Sequence, residues 1–272
     1  QTKSCENFAM NSFRDPNIEY ISSRKRHSCY GMGLGIIILD DVYPGLPGDV
    51  RNASAWPYPI QYEILENIDI KALCYGDNDE RDRYLDQIVK AAKKLERMGC
   101  RAVAAECGFF SYFQEKVAAA LSIPTFMSSL LQVPWAQQLI GPAKKVAIIT
   151  SDAHLTDEHL TSVGINLDSN FEVVDMDNYI EDQEFNKLWE GSYGRPENPS
   201  LRYSVAEKQF VGAITEYIKE TPNVGSLVLE CTGYPPFARS IQRAVDLPIY
   251  SWGTLLDYAW SIVVHRDYYG YV

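Results

Sequence analysis

The sequence predicts an α/β protein built from two pseudo-symmetric domains, each with a parallel sheet, with an active-site cleft between the domains. Short apolar runs rich in Val, Ile and Leu alternate with amphipathic segments of helical period. That alternation is typical of parallel sheets covered by helices on both faces. A stretch of the first half also recurs in the second half, shifted by 124 residues from 107 to 231, which indicates two copies of one α/β unit.

In the first half, the run Gly-Ile-Ile-Ile-Leu at 35–39 predicts a buried strand, and the Gly/Pro-rich segment 43–49 predicts a loop. Leu85, Ile88, Ala92 and Leu95 share one face of a predicted helix that Gly99 ends. The predicted elements are strands at 35–39, within 62–73, at 102–106 and at 123–126, and helices at 79–98 and 113–121.

The same rhythm restarts at residue 145, which predicts a second domain. Its predicted elements are strands at 145–150, 171–175, 226–230 and 247–251, and helices near 155–163, at 204–219 and at 237–244. We therefore expect one domain from 30–140 together with 250–272, a second domain from 141–249, and an N-terminal extension at 1–29. The segment 185–203, rich in aromatic, Gly and Pro residues, is expected to be a lid or a dimer contact.

The repeat places a cysteine at equivalent positions in the two halves. Val-Ala-Ala-Glu-Cys at 103–107 aligns with Leu-Val-Leu-Glu-Cys at 227–231. The same shift also superimposes, without a gap, Phe113 on Phe237, Ala120 on Ala244 and Pro124 on Pro248. Because ligands of open α/β sheets bind at the carboxyl ends of the strands, we expect Cys107 and Cys231 to line one cleft.

Composition excludes several classes of function. Lys and Arg number 25 against 36 Asp and Glu, for a net charge of −11, which argues against nucleic acid or an anionic membrane as a partner. No apolar run approaches the roughly 20 residues of a membrane span. Six cysteines form no disulfide framework, which favours a cytoplasmic protein. His154 and His159 are not spaced for a metal site, and the glycines at 31, 33 and 35 precede a strand, unlike a dinucleotide-binding loop.

Two thiols on opposite sides of a cleft suit one reaction in particular. One thiolate removes a proton from the carbon next to a carboxylate, and the other thiol delivers a proton to the opposite face. A structural cysteine has no reason to recur beside a glutamate at the same strand end, so the repeat favours a catalytic pair. The expected activity is therefore a cofactor-independent racemase or epimerase, with Cys107 and Cys231 as the acid and base.

The segment Glu-Cys-Thr-Gly-Tyr-Pro at 230–235 resembles the second cysteine motif of the aspartate/glutamate racemase superfamily, where Cys-Thr-x-Tyr-Pro is typical. The resemblance covers roughly residues 33–262. It implies chemistry by two cysteines without a cofactor, a cleft between two pseudo-symmetric domains, and a C-terminal segment that returns to the first domain. Two departures, Gly108-Phe109-Phe110 in place of Asn-Thr and Gly233 in place of His, predict a less polar or bulkier substrate than glutamate.

Further residues near the predicted strand ends are candidates for substrate binding. Asp40, which matches the family position, is expected to orient or activate a cysteine, and strand-end hydroxyls are expected to hold the substrate carboxylate. Glu106 and Glu230 are expected to point away from the adjacent cysteines because neighbouring side chains of a strand alternate. The predicted substrate-binding residues are Asp40, Asn52, Gly108, Phe109, Thr150, Ser151, Thr232 and Gly233.

Two alternatives to a racemase stay open at this point. A lyase or decarboxylase starts with the same chemistry, and the algal dimethylsulfoniopropionate lyases and arylmalonate decarboxylase resemble the same superfamily. The apolar Phe109-Phe110 suits such substrates, and elimination needs only one thiol, whereas racemisation needs both. The second alternative is a non-catalytic protein that binds a small carboxylate. The expected partners are a small-molecule carboxylate and, in a homo-oligomer of two or more subunits, copies of this chain.

Overall fold

The computed structural model describes residues 29–151, 154–180, 184–189 and 199–271. Nearly all of the predicted extension at 1–29, and residues 190–198 of the predicted insertion, lie outside the described residues. The described chain forms two four-stranded sheets, in the orders β2-β1-β3-β4 and β6-β5-β7-β8, with every pair parallel. The strands are β1 (Leu34–Leu39), β2 (Ile60–Leu65), β3 (Ala102–Ala105), β4 (Thr125–Phe126), β5 (Lys145–Thr150), β6 (Phe171–Asp175), β7 (Val224–Leu229) and β8 (Ile249–Tyr250). The predicted fold class is confirmed.

Helices flank both sheets. The α-helices of the described residues are α1 (Ile70–Tyr75), α2 (Asn78–Asp82), α3 (Leu85–Met98), α4 (Gln114–Ala120), α5 (Val133–Ile140), α6 (Asp157–Thr161), α7 (Tyr203–Glu220), α8 (Pro235–Val245) and α9 (Trp252–Val263). The single helix predicted at 79–98 is wrong, because Asp77 and Glu80 form a capping box that starts a separate short helix. Gly99 ends α3 with φ of 107°, in the left-handed region that glycine adopts readily. Among the described helices, none has both the length and the apolar character that crossing a membrane requires.

The two sheets repeat each other in register. Val103 lies opposite Thr125 in the first sheet, and Leu227 lies opposite Ile249 in the second, which is the same shift of 124 residues. The carbonyl of the proline just before each short strand also accepts an equivalent hydrogen bond in the two sheets. The amide of Val103 donates to Pro124 at 3.0 Å, and the amide of Leu227 donates to Pro248 at 2.9 Å. The sequence repeat therefore corresponds to two copies of one structural unit.

The two halves exchange helices. The apolar face of α9, with Leu255 and Leu256, packs against Leu34 and Ile36 of the first sheet. Helix α5 makes the reciprocal exchange. Its residue Val133 packs in the core of the second sheet, with Val146 and Ile148 among its neighbours. Helix α5 thus buries its apolar face on the second sheet.

Candidate active site

The carboxyl ends of the central strands of both sheets converge on one small cavity of about 90 Å³. Both predicted catalytic cysteines line it. The lining residues are Leu39, Asp41, Tyr43, Ile70, Cys74, Tyr75, Glu106, Cys107, Gly108, Phe109, Ser151, Glu230, Cys231 and Thr232. The structure thus brings the two copies of the Glu-Cys pair together, at the edge of the sheets where ligands of open α/β folds bind.

Cys107 follows β3 with φ of 82°, in the region that side chains rarely adopt. Such a backbone conformation costs about 1–3 kcal/mol and is common at functional sites. Its sulfur lies 3.9 Å from the sulfur of Cys74, in α1. The hydrogen bond with Cys74, followed by burial, raises the pKa of the Cys107 thiol well above its ordinary value. The predicted site residues do not include Cys74, and its place beside Cys107 has no signal in the sequence.

Cys231 follows β7 in a different environment. Burial, and next the charge of Glu230, raise the pKa of this thiol well above its ordinary value. The backbone N–H of Gly233 donates to the Cys231 thiol and acts in the opposite direction. A hydrogen bond of this kind favours the thiolate, so Gly233 contributes its backbone to the site.

Glu106 is buried and tightly held by the first half. Arg51 donates to both of its oxygens, from Nε to Oε1 at 2.9 Å and from Nη2 to Oε2 at 2.8 Å. The amide of Leu39 donates to Oε2 at 3.0 Å, and the hydroxyl of Tyr43 donates to Oε1. Arg51 also pairs with the carboxylate of Asp41. The predicted candidates do not include Arg51, which lies in an irregular loop where sequence periodicity gives no direction.

The loop that carries Arg51 contributes two further titratable groups. The Arg51 guanidinium carbon lies 3.9 Å from the centre of the Tyr43 ring. Burial, and next the charge of Glu106, raise the pKa of Tyr43 well above its ordinary value. The same two causes raise the pKa of Asp49 to about 8, so this carboxyl is mostly protonated at neutral pH.

Glu230 is buried in the second half and reaches across to the first half. Its Oε2 accepts a hydrogen bond from the Thr150 hydroxyl at 3.3 Å. Its backbone carbonyl accepts from the Trp252 indole at 2.8 Å and from the Ser129 hydroxyl at 3.1 Å. The carboxylate packs so closely on Gly108 that a Cβ added there would lie 1.8 Å from Oε1. Gly108 therefore provides the space that Glu230 needs.

The expectation that Glu106 and Glu230 point away from the adjacent cysteines differs from the place of these residues at the cavity. Both line it. The alternation argument fails because β3 ends at Ala105 and β7 ends at Leu229, so each Glu-Cys pair lies beyond its strand. The positive φ of Cys107 shows that the backbone has left the extended conformation of a strand at this residue.

The remaining predicted residues separate into two groups. Ser151 and Thr232 line the cavity, as Phe109 does, whereas Thr150 lies behind it and contacts Glu230. Asp40 is exposed and is not among the lining residues; its neighbour Asp41 is. Asn52 caps a short 3-10 turn, accepting from the amide of Ser54 at 3.1 Å, and also lies outside the cavity.

An aromatic wall closes one side of the cavity. The ring of Phe109 is 7% exposed and meets the ring of Tyr75 edge to face at 5.6 Å. On its other side Phe109 meets His159 at 5.4 Å. Burial, and next the charge of Arg81, lower the pKa of His159 to about 3, so this imidazole is neutral at physiological pH. His159 therefore places no positive charge against the ring of Phe109.

A larger groove of about 970 Å³ runs between β6 and α7, lined by acidic residues such as Glu172, Glu216 and Glu220. It shares no residue with the cysteine cavity. Nucleophilic groups and buried charges, and not size, therefore select the candidate active site. In the part of the chain that the structure describes, no group of three His, Cys, Asp or Glu residues is arranged to hold a metal ion.

The sequence is similar to those of dimethylsulfoniopropionate lyases. It is 27% identical over 243 residues to one from Durusdinium sp. clade D, covering 87% of this chain and 73% of that protein. It is 24% identical over 232 residues to dimethylsulfoniopropionate lyase 6 of Emiliania huxleyi (strain CCMP1516), covering 80% of this chain. The chain spans 56% of the length of that second relative. No family model matches the sequence.

The structure is similar to solved structures of decarboxylases and racemases. A point mutant of arylmalonate decarboxylase in a sulfate-associated form has a TM-score of 0.57 and 13% identity, covering 85% of this chain and 92% of that one. An aspartate racemase homologue from Pyrococcus horikoshii has a TM-score of 0.49 and 17% identity, covering 85% and 99%. The likeness to arylmalonate decarboxylase shows that the chain shares the fold of that protein.

Proposed function

We propose that this protein is a lyase that removes a proton from the α-carbon of a small carboxylate and expels a sulfonium group from the β-carbon. The proposed substrate is dimethylsulfoniopropionate, on which the named relatives act. The observation that carries the proposal is the meeting of Cys107 and Cys231 in one small cavity lined by carboxylates and aromatic rings. This choice reverses the order of the two enzyme classes expected from sequence.

The reaction needs one base and one leaving group. A thiolate takes the α-proton, the electrons of the broken C–H bond form the C=C bond, and the C–S bond breaks with its electrons on sulfur. The products are acrylate and dimethyl sulfide, with the proton held on the thiol. The hydroxyls of Ser151 and Thr232, which line the cavity, are placed to hold the substrate carboxylate as negative charge develops at the α-carbon.

We assign the role of base to Cys231. The Gly233 N–H stabilises its thiolate, whereas the hydrogen bond between Cys107 and Cys74 raises the pKa of Cys107. A positively charged sulfonium bound in the cavity favours the thiolate further, because an opposite charge within a few ångströms lowers a thiol pKa. The substrate thus supplies part of the activation that the buried thiol lacks in the free enzyme.

A racemase is the second candidate, and one observation favours it. The cavity holds a thiol from each half of the repeat, which is the arrangement that proton removal from one face and delivery to the other requires. Elimination leaves the second thiol without an essential part in the reaction.

Proton NMR in D₂O separates the candidates. The purified protein is incubated with dimethylsulfoniopropionate and, separately, with L-aspartate and L-glutamate. A lyase produces vinyl signals of acrylate and leaves both amino acids unchanged. A racemase incorporates deuterium at the α-carbon of an amino acid and produces no alkene. Failure of all three substrates to react contradicts the proposed lyase and a racemase of these two amino acids, and it favours the carboxylate-binding alternative. A homo-oligomeric state and a cytoplasmic location stay predictions from the sequence.

A further inference from the structure

The charge of the cavity wall is one-sided. Three carboxylates, Asp41, Glu106 and Glu230, line the cavity, and among the described lining residues there is no Lys, Arg or His. Arg51, which contacts Asp41 and Glu106 from behind, offsets those two charges. Glu230 belongs to the other half, and the Thr150 hydroxyl donates a hydrogen bond to it at 3.3 Å. The lining therefore carries three carboxylates and no cation of its own, and it favours a cationic group in the cavity.

Two aromatic rings line the same cavity as Glu230. Its carboxylate packs against Gly108, and the next residue is Phe109, whose ring meets Tyr75 edge to face at 5.6 Å. Tyr75 is 38% exposed, so it lies at the mouth of the cavity, while Phe109 is 7% exposed and lies inside. A carboxylate and two rings in contact thus line one cavity, and we call these three residues the onium wall: Glu230, Phe109 and Tyr75.

This surface has the chemistry that binds a methylated onium ion. Such a cation spreads its charge over methyl groups and donates no strong hydrogen bond, so aromatic faces and a nearby anion stabilise it better than fixed hydrogen-bond acceptors do. An ammonium group with N–H donors needs several acceptors at hydrogen-bonding distance, which two aromatic rings do not supply.

We propose that the onium wall is the specificity-determining surface of the enzyme, and that it holds the methylated sulfonium of the substrate while Ser151 and Thr232 hold the carboxylate. This inference rests on the proposed lyase function. It assigns to Phe109 and Tyr75 a part in substrate choice, and it accounts for the Gly-Phe pair after Cys107, since glycine admits Glu230 and phenylalanine supplies the ring.

Binding of two unreactive analogues tests the inference without depending on turnover. In one analogue a trimethylammonium group replaces the dimethylsulfonium, and in the other a neutral tert-butyl group of the same shape replaces it. Isothermal titration calorimetry on the full chain gives both affinities. We expect the trimethylammonium analogue to bind about tenfold more tightly.

Variants locate the preference. Tyr75→Leu and Phe109→Leu are each expected to reduce the ratio of the two affinities by about threefold or more, because each removes one ring. Tyr75→Phe keeps the ring and is expected to keep the ratio. Tyr268→Leu, at a tyrosine that is 77% exposed and outside the cavity, is the matched control and is expected to leave the ratio unchanged. Circular dichroism checks that each variant is folded. If Phe109→Leu does not fold, the affinity ratio of Tyr75→Leu alone tests the inference.

Equal affinities for the two analogues, absence of binding by both, or an unchanged ratio in the leucine variants overturns the inference. Its failure is distinguishable from failure of the proposed function. An enzyme that releases acrylate but binds both analogues equally is a lyase without an onium wall. A protein that prefers the trimethylammonium analogue but releases no acrylate keeps the onium wall and contradicts the lyase.

Discussion

The two halves of the molecule share one backbone plan but surround their Glu-Cys pairs differently. In both, a parallel strand ends just before the pair, and the residue three positions after the cysteine donates its amide to the cysteine carbonyl at 3.2 Å. In the first half, Arg51, Tyr43 and Leu39 fix the glutamate. In the second half, the glutamate crosses to the opposite half and packs on Gly108.

The thiols differ in the same way. Cys107 has a positive φ, and the thiol of Cys74 lies beside its own. Cys231 accepts a hydrogen bond from the Gly233 amide, and its φ is not positive. Duplication of a unit therefore produces a symmetric scaffold, and the unrelated loops around it make the two thiols chemically unequal. Unequal thiols suit a reaction that needs one base better than a reaction that needs two equivalent ones.

The largest difference in stability is expected between the two glutamates. Glu106→Gln weakens a buried ion pair with Arg51 and is expected to lower the free energy of unfolding by about 3–5 kcal/mol. Glu230→Gln weakens one hydrogen bond and is expected to cost about 1–3 kcal/mol. Urea denaturation at pH 7 measures both, with Glu63→Gln as a control, since its partner Lys94 is half exposed and such pairs contribute about 0–1 kcal/mol. Equal losses in the free energy of unfolding for Glu106→Gln and Glu230→Gln would contradict the expected difference between the two halves.

The close approach of the halves at Gly108 predicts a smaller effect. A Cβ in Gly108→Ala overlaps Glu230 and is expected to cost about 1–3 kcal/mol. Combining it with Glu230→Ser relieves the overlap, so the double variant is expected to be more stable than the sum of the single effects by about 0.5–3 kcal/mol. Gly212→Ala is the matched control, because nothing lies within 4 Å of a Cβ added in α7. Additive effects in the double variant would contradict the contact.

The smallest predicted effects are shifts in thiol titration. The charge of Glu230 raises the pKa of both Cys107 and Cys231. The neighbouring Cys74 thiol raises the pKa of Cys107 and is not among the causes that act on Cys231. Glu230→Gln is therefore expected to lower both pKa values, so that alkylation by iodoacetamide begins at lower pH at both sites. Cys74→Ala is expected to move only the Cys107 profile. Peptide mass spectrometry across a pH series measures each site, and a shift of Cys231 in Cys74→Ala would show that the two thiols are coupled.

Sequence patterns predict the repeated parts of this molecule well. The strand–helix alternation and the shift of 124 residues predict two parallel sheets and the meeting of Cys107 and Cys231 in one cavity, and the structure has both. Burial imposes these features on the residue pattern, since a strand covered on both faces must be apolar along its whole length.

The sequence predictions fail where burial imposes no regular spacing on the residues, as in loops and in contacts between distant segments. Asp40 and Asp41 follow the same strand, and only the path of the loop brings Asp41 to the cavity. Arg51 and Cys74 reach the site through tertiary contacts with Glu106 and Cys107, which leave no regular spacing in the chain.

The steady-state kcat/KM of Cys231→Ala and Cys107→Ala on dimethylsulfoniopropionate tests the central claim most directly. Loss of the base is expected to lower kcat/KM of Cys231→Ala by about 100- to 10,000-fold, with a clearly smaller loss in Cys107→Ala. Cys100→Ala, at a buried cysteine outside the cavity, controls for the removal of a thiol. An unimpaired Cys231→Ala variant, or equal losses in the two cavity variants, would contradict the assignment of Cys231 as the single base.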